Sequence, residues 1–316
     1  MAKYILQRVL SLIPILLVVA VVVFLLIHLT PGDPASVILG DEASPESVAE
    51  LRAQLGLDLP LYQQFISWFG GVLTGDLGDS IFMDMSVTEA FFSRVQPTLS
   101  LAVLAQIIAV VIALFMGILA ARKRGTLADQ AVMGISLLGI SVPSFLLGLF
   151  LILFFAVELQ WLPVAGYRPI SEGLWEHLRY LLLPAIALGA MQAALIARMT
   201  RSSLIEVLSE QYIKTARAKG LKEKIVVYKH ALKNAFIPIL TVIGETFGTL
   251  ITGASVIETV FNIPGIGQLI INSIERRDFA LIQGSILLIT ITYVLLNLLI
   301  DLLYGLLDPR IKLNRR

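Results

Sequence analysis

The chain has 316 residues, of which 57% are hydrophobic and only 15% charged, with a mean hydropathy of +0.86. Soluble domains run near a quarter charged, so the composition belongs to the membrane class. The net charge of +1 gives no reason to expect nucleic acid as a partner, and the absence of cysteine, with only His28, His177 and His230 scattered along the chain, excludes disulfides, thiolate chemistry and cysteine metal sites and argues against histidine ones.

Lys3 and Arg8 precede a long apolar run, Val9 to Leu29. It reaches the ~20 residues of a membrane span, and no small-residue cleavage pattern follows, so it reads as a retained first span with Pro14 in its opening turns. Pro31-Gly32-Asp33-Pro34 halts that helix. Acidic residues then dominate up to Pro97: Asp41, Glu42, Glu46, Glu50, Asp58, Asp76, Asp79, Asp84 and Glu89. Ser44-Pro45-Glu46-Ser47 starts a helix running to about Leu55. Tyr62 to Leu73 carries a second amphipathic pattern with Trp68 and Phe69, and Gly75 to Ser80 is turn-rich. Recurring aromatic and aliphatic residues predict a small folded extramembrane subdomain. The remaining apolar runs are Thr98 to Ala121; Ala131 to Val157 with a kink expected at Pro143; Tyr180 to Ala197; Phe236 to Ile257; and Ile282 to Leu307. The expected fold is therefore an all-α polytopic membrane protein with six transmembrane helices. It divides into a first span over 1–30, an outer subdomain over 31–97, a five-helix core over 98–307 containing a loop at 201–235, and a tail over 308–316.

The interval Glu210 to Pro238 is the one long polar, basic stretch between apolar runs, crowded by Lys214, Arg217, Lys219, Lys222, Lys224, Lys229 and Lys233. At helical spacing Tyr212, Ala216 and Lys219 share a face, and Gly220 supplies a turn. A second helical segment with Ile225, Tyr228, Ala231 and Leu232 as an apolar stripe is expected to follow. Two short helices joined at a glycine suggest a docking element for a soluble partner; the plainer alternative is a basic loop that fixes topology and meets lipid headgroups. The termini, this loop, Arg122 to Arg124, Arg198 and Arg201 fall on one side, whereas the other holds only Arg52, Arg94, Arg168, Arg179, Arg276 and Arg277. That bias places both termini in the cytoplasm and the acidic segment outside.

No G-x-x-x-x-G-K-[ST] phosphate loop and no H-E-x-x-H or G-x-S-x-G motif occurs. Glu245 and Asp301 are the ionisable residues counted inside the expected spans, and Glu245 is a candidate pore-facing residue. Gly244, Gly248 and Gly253 have spacings that permit close helix packing. Two classes of function remain: a transport subunit energised by a partner docked at the basic loop, and a self-sufficient secondary transporter. The second would favour internal repeats and intramembrane coupling residues, and neither is evident.

Several separated stretches carry a resemblance: Tyr4-Ile5-Leu6-Gln7-Arg8, Pro31-Gly32-Asp33-Pro34, Gln54-Leu55-Gly56-Leu57-Asp58, Gly75-Asp76-Leu77-Gly78, Thr215-Ala216-Arg217-Ala218-Lys219-Gly220, Lys229 to Ala235, and Val260-Phe261-Asn262-Ile263-Pro264-Gly265-Ile266-Gly267. In this order they resemble the permease subunits of bacterial ATP-binding-cassette importers of the dipeptide/oligopeptide/nickel group. The resemblance implies a type I importer permease fold in the inner membrane, with a small periplasmic subdomain after the first helix. It implies that Tyr212, Ala216, Arg217, Ala218, Lys219 and Gly220 belong to the motif that couples to the ATPase, although Lys214 and Thr215 stand in its first two places and its Leu-Pro is displaced, the nearest proline being Pro238. Phe261, Asn262, Pro264, Gly265 and Gly267 form a candidate external gate segment, expected as a short re-entrant or interfacial piece. The implied partners are a second, related permease in a heterodimer, two cytoplasmic ATP-binding subunits, a periplasmic substrate-binding protein and membrane lipid. No cofactor or metal is expected on this chain, since ATP and Mg would sit in the partner subunits, and the chain itself is expected not to be an enzyme. The implied cargo is a dipeptide or oligopeptide; glutathione, nickel chelates or another small solute are alternatives.

Overall fold

The computed structural model describes residues 2–29, 33–40 and 43–307. The stop at Pro31-Gly32, the acidic pair Asp41 and Glu42, the side chains of residues 3–8 and of Asp301, and the tail over 308–316 lie outside the described residues.

The apolar runs become helices, since only helices satisfy their own backbone groups in lipid. In order these are α1 (Ala2–Leu29), the short α2 (Pro34–Leu39), α3 (Pro45–Gln54) and α4 (Leu61–Thr74), then strands β1 (Asp79–Ser80) and β2 (Met85–Ser86). There follow α5 (Val87–Arg122), α6 (Leu127–Ser141), α7 (Ser144–Leu151) continued by a π-turn at Ile152–Glu158, α8 (Leu174–Leu208), α9 (Gln211–Ala218), α10 (Glu223–Ile225) with a π-turn at Val226–Ala231, α11 (Leu232–Val260), α12 (Ile266–Arg276) and α13 (Phe279–Leu307). Among the described residues, four helices are long and apolar enough to cross a membrane, or five if a bent pair counts as one span. Helix α1, 28 residues long and apolar over Ile13–Leu26, is consistent with a sixth.

The run read as one span kinked at Pro143 is broken more sharply than expected: the helices over Leu127–Ser141 and Ser144–Glu158 meet at 102°. The cause is local. Val142, which precedes a proline, is pushed to φ −83°, ψ 122°, out of helical space, so Pro143 opens a new helix instead of bending an old one. Helix α5 starts eleven residues before Thr98, at Val87, and carries Pro97 inside it.

The chain resolves into two compact units, Met1–Gln96 with Gln268–Leu295, and Pro97–Gly267 with Leu296–Arg316. In the first, the acidic segment is folded. Asp33 and Ser44 cap α2 and α3, each accepting from the backbone N–H three residues on, with proline at the first helical position. Arg52 pairs with both Asp33 and Asp58, and Phe24 of α1 meets Phe65 and Trp68 of α4 at ring-centroid distances of 5.3 and 5.8 Å. Antiparallel β1 and β2 present Ser80, whose hydroxyl donates to the buried Asp278 carboxylate at 2.6 Å. Asp278 also accepts from Leu281 N at the start of α13.

In the second unit, α5 and α8 cross closely at two glycines. A Cβ on Gly189 would lie 2.7 Å from Ala105 O, and one on Gly117 would lie 2.6 Å from Thr200 Cβ. The close approaches therefore fall here and not at Gly253, where a Cβ would meet nothing within 4 Å. One apolar cluster joins Leu101, Ala105, Leu181, Leu188, Leu250 and Ile257. Another joins Ala113, Ile196, Leu204, Ile213, Ala216, Val227 and Ile239.

Candidate functional site

Helix α9 is eight residues long, too short to persist alone, so its packing decides its form. Ile213 and Ala216 are buried in the second apolar cluster, against α5, α8 and α11 of the same chain. Ala216, placed in the coupling motif, thus turns toward the chain's own core: that face is the foot on which the helix stands. What remains uncovered is the opposite stripe, Gln211, Lys214, Thr215 and Ala218, all exposed at i, i+3, i+4 and i+7. Tyr212 is exposed, with its hydroxyl accepting from Asn234 Nδ2 at 2.7 Å. Arg217 makes a two-pronged pair with Glu223 across the turn, Nε–Oε2 3.1 Å and Nη2–Oε1 2.7 Å, and donating to that carboxylate holds the guanidinium above its ordinary pKa. Lys219 closes the helix and Gly220 follows at φ +76°, the left-handed region that a glycine enters without strain.

The expected second amphipathic helix is also different. Glu223 to Val260 runs on as one span, and its π-turn at Val226–Ala231 inserts an extra residue that shifts the buried face. Val226, Val227, Ala231 and Ala235 are buried, whereas Ile225 and Tyr228 are exposed.

Next to this element stands an ion pair that spacing could not reveal. Arg201 of α8 grips Asp129 of α6 in two bonds, Nε–Oδ1 2.6 Å and Nη2–Oδ2 2.8 Å. Gly125 N donates to the same carboxylate at 3.0 Å, and Asp129 is only 4% exposed. Nothing in the sequence joins two residues so far apart; the only signal was a carboxylate in the first turn of a helix after Gly125-Thr126.

Helices α6, α8 and α11 border a cavity of about 810 Å³ lined by, among others, Met133, Gln192, Arg198, Glu245 and Thr249. Glu245, expected to face a pore, thus faces this cavity. Gln192 Nε2 donates to Thr249 Oγ1 at 3.1 Å, tying α8 to α11.

At the far end of α11 the chain breaks between Val260 and Ile266, so the Phe261 to Ile274 stretch is not one straight helix. Asn262 takes φ 48° and Phe261 O accepts from Gly166 N at 2.8 Å. The organising group is one the sequence reading did not count, Glu258, fully buried. Its Oε1 accepts from Thr98 Oγ1 at 2.6 Å, and the same hydroxyl accepts from Ile266 N at 2.8 Å. Gly265 and Gly267 let the turn fold onto that carboxylate: a Cβ on either would collide with Glu258, and one on Gly267 also with Ser255. Ile263, just before Pro264, is fully buried. Gly265→Ala is accordingly expected to cost ~1–3 kcal/mol by overpacking, read as a lower thermal unfolding midpoint of the purified chain. An unchanged midpoint would contradict this packing.

Residues 113–313 match the family described as binding-protein-dependent transport system inner membrane component, and residues 1–102 match the N-terminal family of such membrane components. A probable peptide ABC transporter permease protein, y4tP, of Sinorhizobium fredii (strain NBRC 101917 / NGR234) is 46% identical over 312 residues, covering 99% of this chain and 100% of the relative. The glutathione transport system permease protein GsiC of Shigella flexneri serotype 5b (strain 8401) is 45% identical, covering 99% of each. Among solved structures, an inward-facing form of the MetNI methionine ABC transporter aligns with a TM-score of 0.57 at 21% identity, covering 70% of this chain and 97% of that one, a likeness of fold.

Proposed function

Because the chain belongs to the family of binding-protein-dependent transport system inner membrane components, we propose that it carries a dipeptide or oligopeptide across the inner membrane, with glutathione the leading alternative cargo. It is the permease component of an ABC importer, and ATP-binding and substrate-binding partners come with that family. The finer assembly is part of the proposal: this chain forms half of the path, a related permease the other half, and two cytoplasmic ATPases drive both. The peptide and glutathione readings rest on relatives similar over the whole chain, a probable peptide permease and a glutathione permease.

The observation that carries the energy-coupling part is α9. A short helix braced by its own chain, with one polar stripe left uncovered, can transmit force because it cannot tilt independently of α8 and α11. The outward stripe Gln211, Lys214, Thr215 and Ala218 is the surface that meets the ATPase; Arg217, Lys219 and Gly220 shape its end. The α11–α12 break, with Phe261, Asn262, Pro264, Gly265 and Gly267, is the external gate. Both termini and α9 face the cytoplasm, and the acidic segment faces out.

Two measurements test this reading. With no native cysteine, an Asp58→Cys variant is expected to react with an impermeant thiol reagent from outside the inner membrane; labelling only after permeabilisation would reverse the orientation. The purified chain alone is expected to hydrolyse no ATP, and hydrolysis is expected to appear when the ATP-binding subunits co-purify. Steady hydrolysis by the chain alone would contradict the absence of a phosphate loop, and ion-gradient-driven uptake into liposomes that hold it alone would support the secondary-transporter reading instead.

A further inference from the structure

The cavity between α6, α8 and α11 holds two opposite charges that are not used by the protein itself. Arg198 of α8 and Glu245 of α11 both line it; Glu245 lies inside the apolar run Phe236 to Ile257, and Arg198 directly follows the apolar run Tyr180 to Ala197. Among the described residues neither makes a hydrogen bond or an ion pair, whereas Arg201, which lines the same cavity, is bound to Asp129. A charge inside an apolar span is costly unless it pairs or faces a polar cavity. Had these two evolved only to cancel, they would meet; instead they stay beyond the 4.0 Å of an ion pair. The cavity thus offers an anion and a cation that are not paired with each other. Its volume, about 810 Å³, lies within the range of small-molecule sites. Met191 and Met199 on the same wall are unbranched and polarisable, and adapt to ligands of varied shape.

We propose that this cavity is a recognition site for a zwitterionic peptide in transit, with Glu245 receiving the ammonium group, Arg198 the carboxylate, and the methionines the variable side chains. The assignment rests on the transport reading above and adds to it a selective site within the permease itself. A planar guanidinium can take a carboxylate by two parallel bonds, and a lone carboxylate can accept from an ammonium. Neither group alone would select for a molecule that bears both charges; the two together do.

The test is equilibrium binding to the purified, nucleotide-free complex without its binding protein, which removes that protein's own selectivity. The probes are tri-alanine and glutathione, each also in N-acetylated and C-amidated form. Wild type is expected to bind at least one unmodified probe, more tightly than either of its blocked forms. Glu245→Gln is expected to weaken the unmodified probe by about tenfold, the loss of one charge-assisted bond, while leaving the N-acetylated form unchanged. Arg198→Gln is expected to do the same with respect to the C-amidated form. No binding of either probe overturns the assignment, as does equal weakening of all forms, which would mark a structural role, or no change in either variant, which would mark a hydrated vestibule. ATP-driven uptake by the same wild-type complex, supplied with its binding protein, reports separately on the transport reading. Failed peptide or glutathione import with the binding pattern intact would sink that reading and leave the site standing.

Discussion

Ala218→Trp is expected to reduce uptake about tenfold or more while the protein reaches the membrane at wild-type levels. Ala218 lies on the uncovered stripe of α9, so a large side chain there disturbs nothing within the chain. It does stand where a docked ATPase would close, and overpacking a fitted contact typically costs ~1–3 kcal/mol, each ~1.4 kcal/mol being tenfold in an equilibrium. The contrast with Ala216 is the informative part. Ala216 is 8% exposed and packed with Ile213 in the chain's own core. Ala216→Trp is therefore expected to fail earlier, by lowering the amount of folded protein, and its loss of uptake says nothing about docking. Gly220→Val meets no side chain, since a Cβ there has nothing within 4 Å, but it forces a β-branched residue to φ +76° and loosens the turn that ends the helix. Lys222→Ala, at an exposed position beyond that turn, is expected to do little. Uptake and ATPase co-purification at matched membrane levels check all of these. Normal uptake with Ala218→Trp would leave α9 as a topological anchor only.

Asp129→Ala is expected to destabilise the chain by ~3–5 kcal/mol, because it strands the Arg201 guanidinium, only 27% exposed, without its partner. It also leaves the Gly125 N–H without its acceptor. The loss reads as a lower unfolding midpoint in detergent and less protein in the membrane. Replacing both partners by apolar residues, Asp129→Leu with Arg201→Met, is expected to recover most of the midpoint, since removing a buried pair whole is far cheaper than breaking it. A single variant as stable as wild type would show that the pair contributes nothing. The pair fastens the first turn of α6 to α8 just before α9, so its loss is also expected to loosen the footing from which α9 acts.

Much of the architecture was legible because a span has to be apolar along its length, and apolar runs of this size are hard to misread. The acidic segment announced its helices by Ser44-Pro45 and its turns by glycine, and the structure has them at Pro45–Gln54 and Gly75. The break after Val260 was legible from Pro264 with two glycines. What sequence could not supply was partnership. Ile213 and Ala216 make α9 amphipathic, but periodicity cannot say whether an apolar face rests on its own chain or on another. The π-turn at Val226–Ala231 defeated the stripe of Ile225, Tyr228, Ala231 and Leu232, because one inserted residue rotates everything after it. Asp129 with Arg201, and Glu258 with Thr98, are long-range pairs whose members look like ordinary loop and helix-end residues until the fold brings them together. The sharp turn at Pro143 was anticipated only as a kink, since a proline signals a break without its angle.

The central claim is that this chain conducts a peptide only as part of an ATP-driven, binding-protein-dependent assembly. Its most direct test is uptake of labelled tri-alanine or glutathione into proteoliposomes containing this permease, its companion permease and their ATP-binding subunits, with the substrate-binding protein outside and ATP trapped inside. The account predicts accumulation of at least one of the two that disappears when ATP, the binding protein or this chain is omitted. Accumulation that continues without ATP and the binding protein, driven by an ion gradient through this chain alone, would contradict it.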